Sequence, residues 1–153
     1  MASLISWHFA PFSVLTAGQL HGLLALRADV FVVEQNCAYP DPDAKDRSSH
    51  HLWAEDERGT VVAVARVVPP GGSYAEPSIG RVATALAHRR TGLGRELMRR
   101  AIAQAEALYP GRDVVISAQA YLLGFYEEFG FRPEGAEYDE DGIPHIQMRK
   151  TSA

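Results

Sequence analysis

Two glycines set among arginines are the most chemically suggestive feature of this chain. The stretch AHRRTGLGRELMRRAIAQAE, from Ala87 to Glu106, places Gly92 and Gly94 between Arg89, Arg90 and Arg95, where an amphipathic helix should begin. Such a turn suits an anion: glycine lets a phosphate approach the backbone closely, and the unpaired amides and dipole of a helix N-terminus point at it. Three phosphate devices share these ingredients. A Walker-type loop needs a lysine and a hydroxyl after its last glycine, but Arg95 and Glu96 follow Gly94. A dinucleotide fingerprint needs a third glycine or alanine where bulky Leu97 stands, and it belongs on the first strand of a βαβ unit, whereas this turn lies past mid-chain. A pyrophosphate cradle needs only a strand, a basic turn with two small residues and a helix, all of which are present. An isolated Gly-x-Gly reads first as an ordinary strand-to-helix turn with exposed arginines, so the rest of the chain has to decide.

Other groupings carry less chemistry. Asp41, Asp43 and Asp46 with His50 and His51 lack the glycine and distal glutamate of a calcium loop and match no zinc spacing, so they read as a solvated acidic loop and no metal is expected. Cys37 is the only cysteine, which excludes an internal disulfide framework, and no acid–base pair lies near it in sequence. The formal charge of -4 argues against a general nucleic-acid binder, because neutralising several phosphates takes a basic face. No apolar run approaches a membrane span, and the opening MASLISWHFAPF lacks the features of a secretory signal, so a cytoplasmic address is expected.

The elements that must position the glycine turn follow from periodicity. A first strand is expected over Leu4 to Ala10. Thr16 and Gln19 form a capping box that opens a helix from about Ala17 to Val33. AYPDPDAKDRSS reads as a loop, and HLWAED and TVVAVARVV as a hairpin turning at Glu57 to Gly59. IGRVATAL delivers the chain into the turn. Leu93, Leu97, Met98, Ala101, Ile102, Ala105 and Leu108 then make one apolar stripe on a helix from Thr91 to Tyr109. DVVISAQA is a strand, YLLGFYEEFG a short helix, and further strands are expected around Phe131 to Gly135 and Ile143 to Arg149. This order predicts one α+β domain over residues 1–153, with a mixed sheet and helices on its faces.

Here the residues carry a family resemblance. Arg89-x-x-Gly92-x-Gly94, following GRVATAL, resembles the acetyl-CoA signature of the GNAT superfamily of N-acetyltransferases, and QAYLLGFYEEFGF resembles that family's second CoA-side motif. LRADVFVVEQNCAYPDPD and YDEDGIPHIQM extend the likeness to the ElaA-like branch and to nearly the whole chain. The resemblance implies the GNAT acyl-CoA N-acyltransferase fold, with a central, mostly antiparallel mixed sheet in which two parallel strands splay. It implies that Val82, Ala83 and Thr84 pair through their backbone with the pantetheine arm. Arg89, Arg90, Thr91, Gly92, Leu93, Gly94 and Arg95 would then cradle the pyrophosphate. Gln119 stands where many members carry Asn, retaining an amide on a longer arm.

Tyr126 matches the family tyrosine that acts as general acid beside the CoA sulfur; read without that motif, it is a core aromatic among Phe125, Phe129 and Phe131. Transfer to an amine also needs a base, because a lysine-like amine with a reference pKa of about 10.4 is mostly protonated at neutral pH. Glu34 and His145 are the candidates. Arg27, earlier on the first helix, would bind a substrate carboxylate or pair with Glu34. The expected activity is acetyl transfer from acetyl-CoA to an amine of a small molecule or peptide, by direct attack in a ternary complex. A CoA-binding sensor with little turnover is the alternative. A homodimer is in keeping with the family.

Overall fold

The computed structural model describes residues 4–152. Its first sheet has four antiparallel strands in the order β1 (Ser6–Pro11), β2 (His50–Glu55), β3 (Val61–Val68) and β4 (Ser78–Thr84). β3 is VVAVARVV, a nearly unbroken β-branched and small-residue run, and all eight residues are buried. Such a strand demands cover on both faces. One face receives α3 (Leu93–Leu108), whose expected stripe is inside: Leu97, Met98, Ala101 and Ala105 pack with Leu52, Ala63, Ala65 and Val67. The other face receives α1 (Ala17–Arg27), where Leu23 and Leu26 meet Trp53, Val64 and Ala83, and the one-turn helix α2 (Lys45–Ser48) precedes β2.

The second sheet is β5 (Val114–Gln119), β7 (Ile143–Lys150) and β6 (Arg132–Glu140), in that order and antiparallel. Val114, Ile116, Ala118 and Met148 join the same apolar cluster as α3, together with Tyr126 of the short helix α4 (Leu123–Glu127). The sheets meet where the Val115 amide donates to the Pro77 carbonyl at 3.1 Å. Both residues lie at the starts of their strands, so β4 and β5 run side by side in one direction. No ladder joins them further along. This is the expected mixed, mostly antiparallel arrangement with a splayed parallel pair.

Four local features depart from the expected elements, the simplest being that β6 runs to Glu140 rather than ending near Gly135. The first helix does not stay α-helical to its end: Ala28–Glu34 widens into a π-helical turn, with Gln35 N–H bonded to Val30 O at 3.2 Å and Cys37 N–H to Val32 O at 3.0 Å. Helix α3 starts at Leu93 rather than Thr91, because Gly92 at φ +86° breaks the helical path just before it. In β4, Val64 and Arg66 of β3 oppose Ala83 and Gly80, so two residues on one strand span three on the other. The extra residue is Arg81, at φ +51°. The β6–β7 connection is a two-residue turn with Asp141 and Gly142 both at positive φ, the geometry that an Asp-Gly pair favours.

Candidate active site

Where β4 and β5 part, they enclose a cavity of about 730 Å³. Val82, Ala83 and Thr84 line it from β4, and Ser117 and Gln119 from β5. The strand alternation of β5 turns Val114, Ile116 and Ala118 toward the core and Ser117 and Gln119 to a polar face, which His145, paired with Gln119 in register, continues on β7.

At one end lies the glycine turn. The first amide of α3 to find a carbonyl is that of Glu96, bonded to Gly92 O at 3.1 Å, leaving those of Leu93, Gly94 and Arg95 without partners among the described residues. Of the seven turn residues, only Arg89 and Gly94 line the cavity. Arg90 and Thr91 are exposed, with the Thr91 hydroxyl donating to His88 O at 2.6 Å. The Leu93 side chain is buried in the core, and Arg95 pairs with Glu128 on the outer surface. A cradle on this turn is therefore made of backbone amides and Arg89, with the other side chains turned away.

Arg89 is itself engaged. It donates from Nη2 to Glu34 Oε1 at 2.8 Å and to Thr84 O at 3.0 Å. The hydrogen bond from Arg89 holds the Glu34 carboxyl below its ordinary range, leaving it a weak base. The next residue on the π-helical segment, Gln35, exchanges side-chain amide hydrogen bonds with Gln119 at 3.1 and 3.3 Å. Adjacent residues thus tie the end of the first helix to both walls of the cleft. Nothing in the sequence pointed to Gln35, since the π-turn that aims it arises from backbone bonding.

Tyr126 is both core and cleft. It is 8 % exposed, with its ring edge-on to Phe125 and Phe131, yet it lines the cavity. Burial, with a smaller contribution from Tyr121, pushes its phenol up, so Oη keeps its proton at any working pH. His145 also lines the cavity; its Nδ1 donates to Ile143 O at 2.7 Å, which turns Nε2 toward Glu140 Oε2 at 3.2 Å. The ring stacks on Tyr138, whose hydroxyl bonds Ser117. Tyr74, also lining the cavity, is pushed up to about 12 by burial and by nearby Tyr138. The sequence had marked His145 but neither Glu140 nor the tyrosines, which the β6–β7 hairpin and the loop before β4 bring in.

Arg27 requires a correction. It does not line the cavity or pair with Glu34; it is 2 % exposed, with Nε on Asp41 at 2.8 Å and Nη1 on Asp46 at 2.7 Å. The acidic loop is corrected with it. Asp41 and Asp46 are buried, Arg66 bonds Asp43 at 2.6 Å and Asp46 at 2.9 Å, and Arg81 pairs with Asp41 and Asp43. Burial raises the Asp43 carboxyl, but Arg66 and Arg81 outweigh it and bring it down to about 2. Sequence spacing missed this because each arginine partner lies 14 to 40 residues away.

Known proteins share this architecture. Residues 31–152 match the model of the acetyltransferase (GNAT) domain family. A UPF0039 protein of Synechocystis is 44% identical over 144 residues, 94% of each chain. An acyl-CoA N-acyltransferase from Pseudomonas aeruginosa superimposes with a TM-score of 0.92 at 40% identity, over 97% of this chain and 100% of that one. Escherichia coli ElaA superimposes with a TM-score of 0.90 at 38% identity, over 96% and 99%. With a family model matched over most of its length and relatives aligned almost end to end, this chain belongs to the GNAT acyltransferases, on the branch that holds ElaA.

Proposed function

We propose that the protein transfers the acetyl group of acetyl-CoA to a primary amine, by direct attack while both are bound in the cleft. The observation that carries this is Gly94. Its φ is not positive and the nearest atom to an added Cβ, Thr84 Cγ2, lies 3.9 Å away, so nothing among the described residues requires glycine there. An early helical position without such a requirement favours alanine. A glycine that lines the cavity beside three unpaired amides fits a group that must approach the backbone closely, as a pyrophosphate does.

Acetyl-CoA supplies a thioester, whose carbonyl carbon is the electrophile. Arg89 and the amides of Leu93, Gly94 and Arg95 bind the pyrophosphate, and the peptide groups of Val82 to Thr84 pair with the pantetheine. Tyr126 holds a proton on Oη for the sulfur that departs as the C–N bond forms and the C–S bond breaks. His145 takes the amine proton on Nε2, because Nδ1–H is committed to Ile143, and Glu140, 3.2 Å from Nε2, offsets the charge of the imidazolium that forms. Glu34 is set aside as the base because Arg89 holds its carboxylate.

Mass spectrometry of the protein incubated with acetyl-CoA alone and then with an amine tests direct attack. The expected result is unmodified protein throughout and acetylated amine after the second addition. An acetylated protein that passes its acetyl group to the amine would overturn it.

A further inference from the structure

We infer that Arg81 and the carboxylates gripping it form a positioning device that holds β4 in the register the cleft requires; this rests on the reading that CoA occupies the cleft. Three arginines and three aspartates alternate in a closed ring: Arg27, Asp41, Arg81, Asp43, Arg66, Asp46 and back to Arg27. Arg81 Nε lies 2.8 Å from Asp41 Oδ1, off the hydrogen-bond direction, while Nη2 donates to Asp41 O at 3.0 Å. Its guanidinium also lies 5.6 Å from the Tyr39 ring centroid.

Arg81 is the extra residue of the β4 bulge, and the faces of its neighbours show what it does. In an unbroken strand Ile79, Arg81 and Ala83 would share a face. Instead Ile79 and Val82 pack with the α3 cluster and Ala83 with the α1 cluster, so the strand exchanges faces at Arg81. A regular β4 would relieve the positive φ of Arg81, but it would drive the guanidinium into the apolar α3 layer, away from its aspartates. The ring thus makes the bulged register the favourable one. That register sets which peptide groups of Val82, Ala83 and Thr84 face β5, since a one-residue slip turns each to the other side.

Two substitutions separate this from general destabilisation. Arg81→Ala removes the ring contact while keeping the penalty of a side chain at positive φ; Arg81→Gly removes both. Titration calorimetry with CoA is expected to show Arg81→Ala binding about tenfold or more weaker than wild type, with Arg81→Gly recovering most of the loss. Both variants should melt lower than wild type, so melting temperature alone will not follow affinity. A Kd for Arg81→Ala within about twofold of wild type, or Arg81→Gly binding no better than Arg81→Ala, overturns the proposal. If Arg81→Ala does not fold, Asp43→Asn replaces it: it should weaken CoA binding, adding Arg81→Gly should restore it, and a wild-type Kd for Asp43→Asn overturns the role. A wild-type chain that does not bind CoA overturns the cleft reading itself, and this positioning role with it.

Discussion

Removing one oxygen from Tyr126 separates the proposed proton donor from the core aromatic. Tyr126→Phe keeps the ring that packs edge-on against Phe125 and Phe131 and deletes only the proton that burial secures on Oη. Steady-state kinetics should show kcat lower by about 10²-fold, with the melting temperature nearly unchanged. Retained kcat with a lowered melting temperature would make the residue a core aromatic only. The two base candidates separate in the same way. His145→Gln should lower turnover by about 10²-fold near neutrality, and by less as rising pH deprotonates an amine of reference pKa about 10.4 without help. Glu34→Gln should leave kcat within about threefold and shift the KM for acetyl-CoA, because it frees Arg89. A pH–rate comparison of the two variants checks this, and a kcat collapse confined to Glu34→Gln would reverse the assignment. The placement of Tyr126 beside the cleft was legible because a motif surrounds it. That of Gln35 and Glu140 was not, because their importance comes only from what they face.

Between residue and molecule, the junction of β4 and α3 carries the cofactor argument. Gly94→Ala places a methyl group in ordinary contact with Thr84 but within the cavity lining. Helix propensity favours the change by up to about 1 kcal/mol, so the melting temperature should hold or rise, while CoA affinity should fall by about tenfold or more. Thermal unfolding paired with titration calorimetry reads both; unchanged affinity would detach the glycine from ligand binding. Element boundaries were legible where local chemistry sets them. Thr16 and Gln19 make the reciprocal capping box that the sequence announces, and α3 buries its expected stripe. The π-helical widening and the β4 bulge were not legible, because the first arises from i→i+5 bonding and the second depends on partners of Arg81 remote in sequence.

At the scale of the whole molecule, the Arg–Asp ring joins the loop after the first helix to β3 and β4, and it makes stability depend on acid. Asp43 is depressed from the ordinary 3.8 to about 2 in the fold. A carboxylate lowered by folding contributes its full stabilisation above the unfolded value and loses it as pH falls through the folded one. Its contribution should therefore be intact above about pH 4 and fade between about 4 and 2, a loss that Asp43→Asn should reduce in acid-unfolding curves. An acid midpoint unmoved by the substitution would show that other carboxylates govern the transition. The sequence conveyed the fold class through the order of its elements and the family through its motifs. It misread the aspartate loop as solvated, since the arginines that bury it come from three separate elements. Acetyl transfer to an amine is tested by thiol release from acetyl-CoA across a panel of primary amines, with product mass recorded. Release is expected to rise above background with at least one amine, that amine to gain one acetyl group, and Tyr126→Phe to suppress both. CoA that binds tightly, with no release above background for any amine, would contradict the proposed transfer.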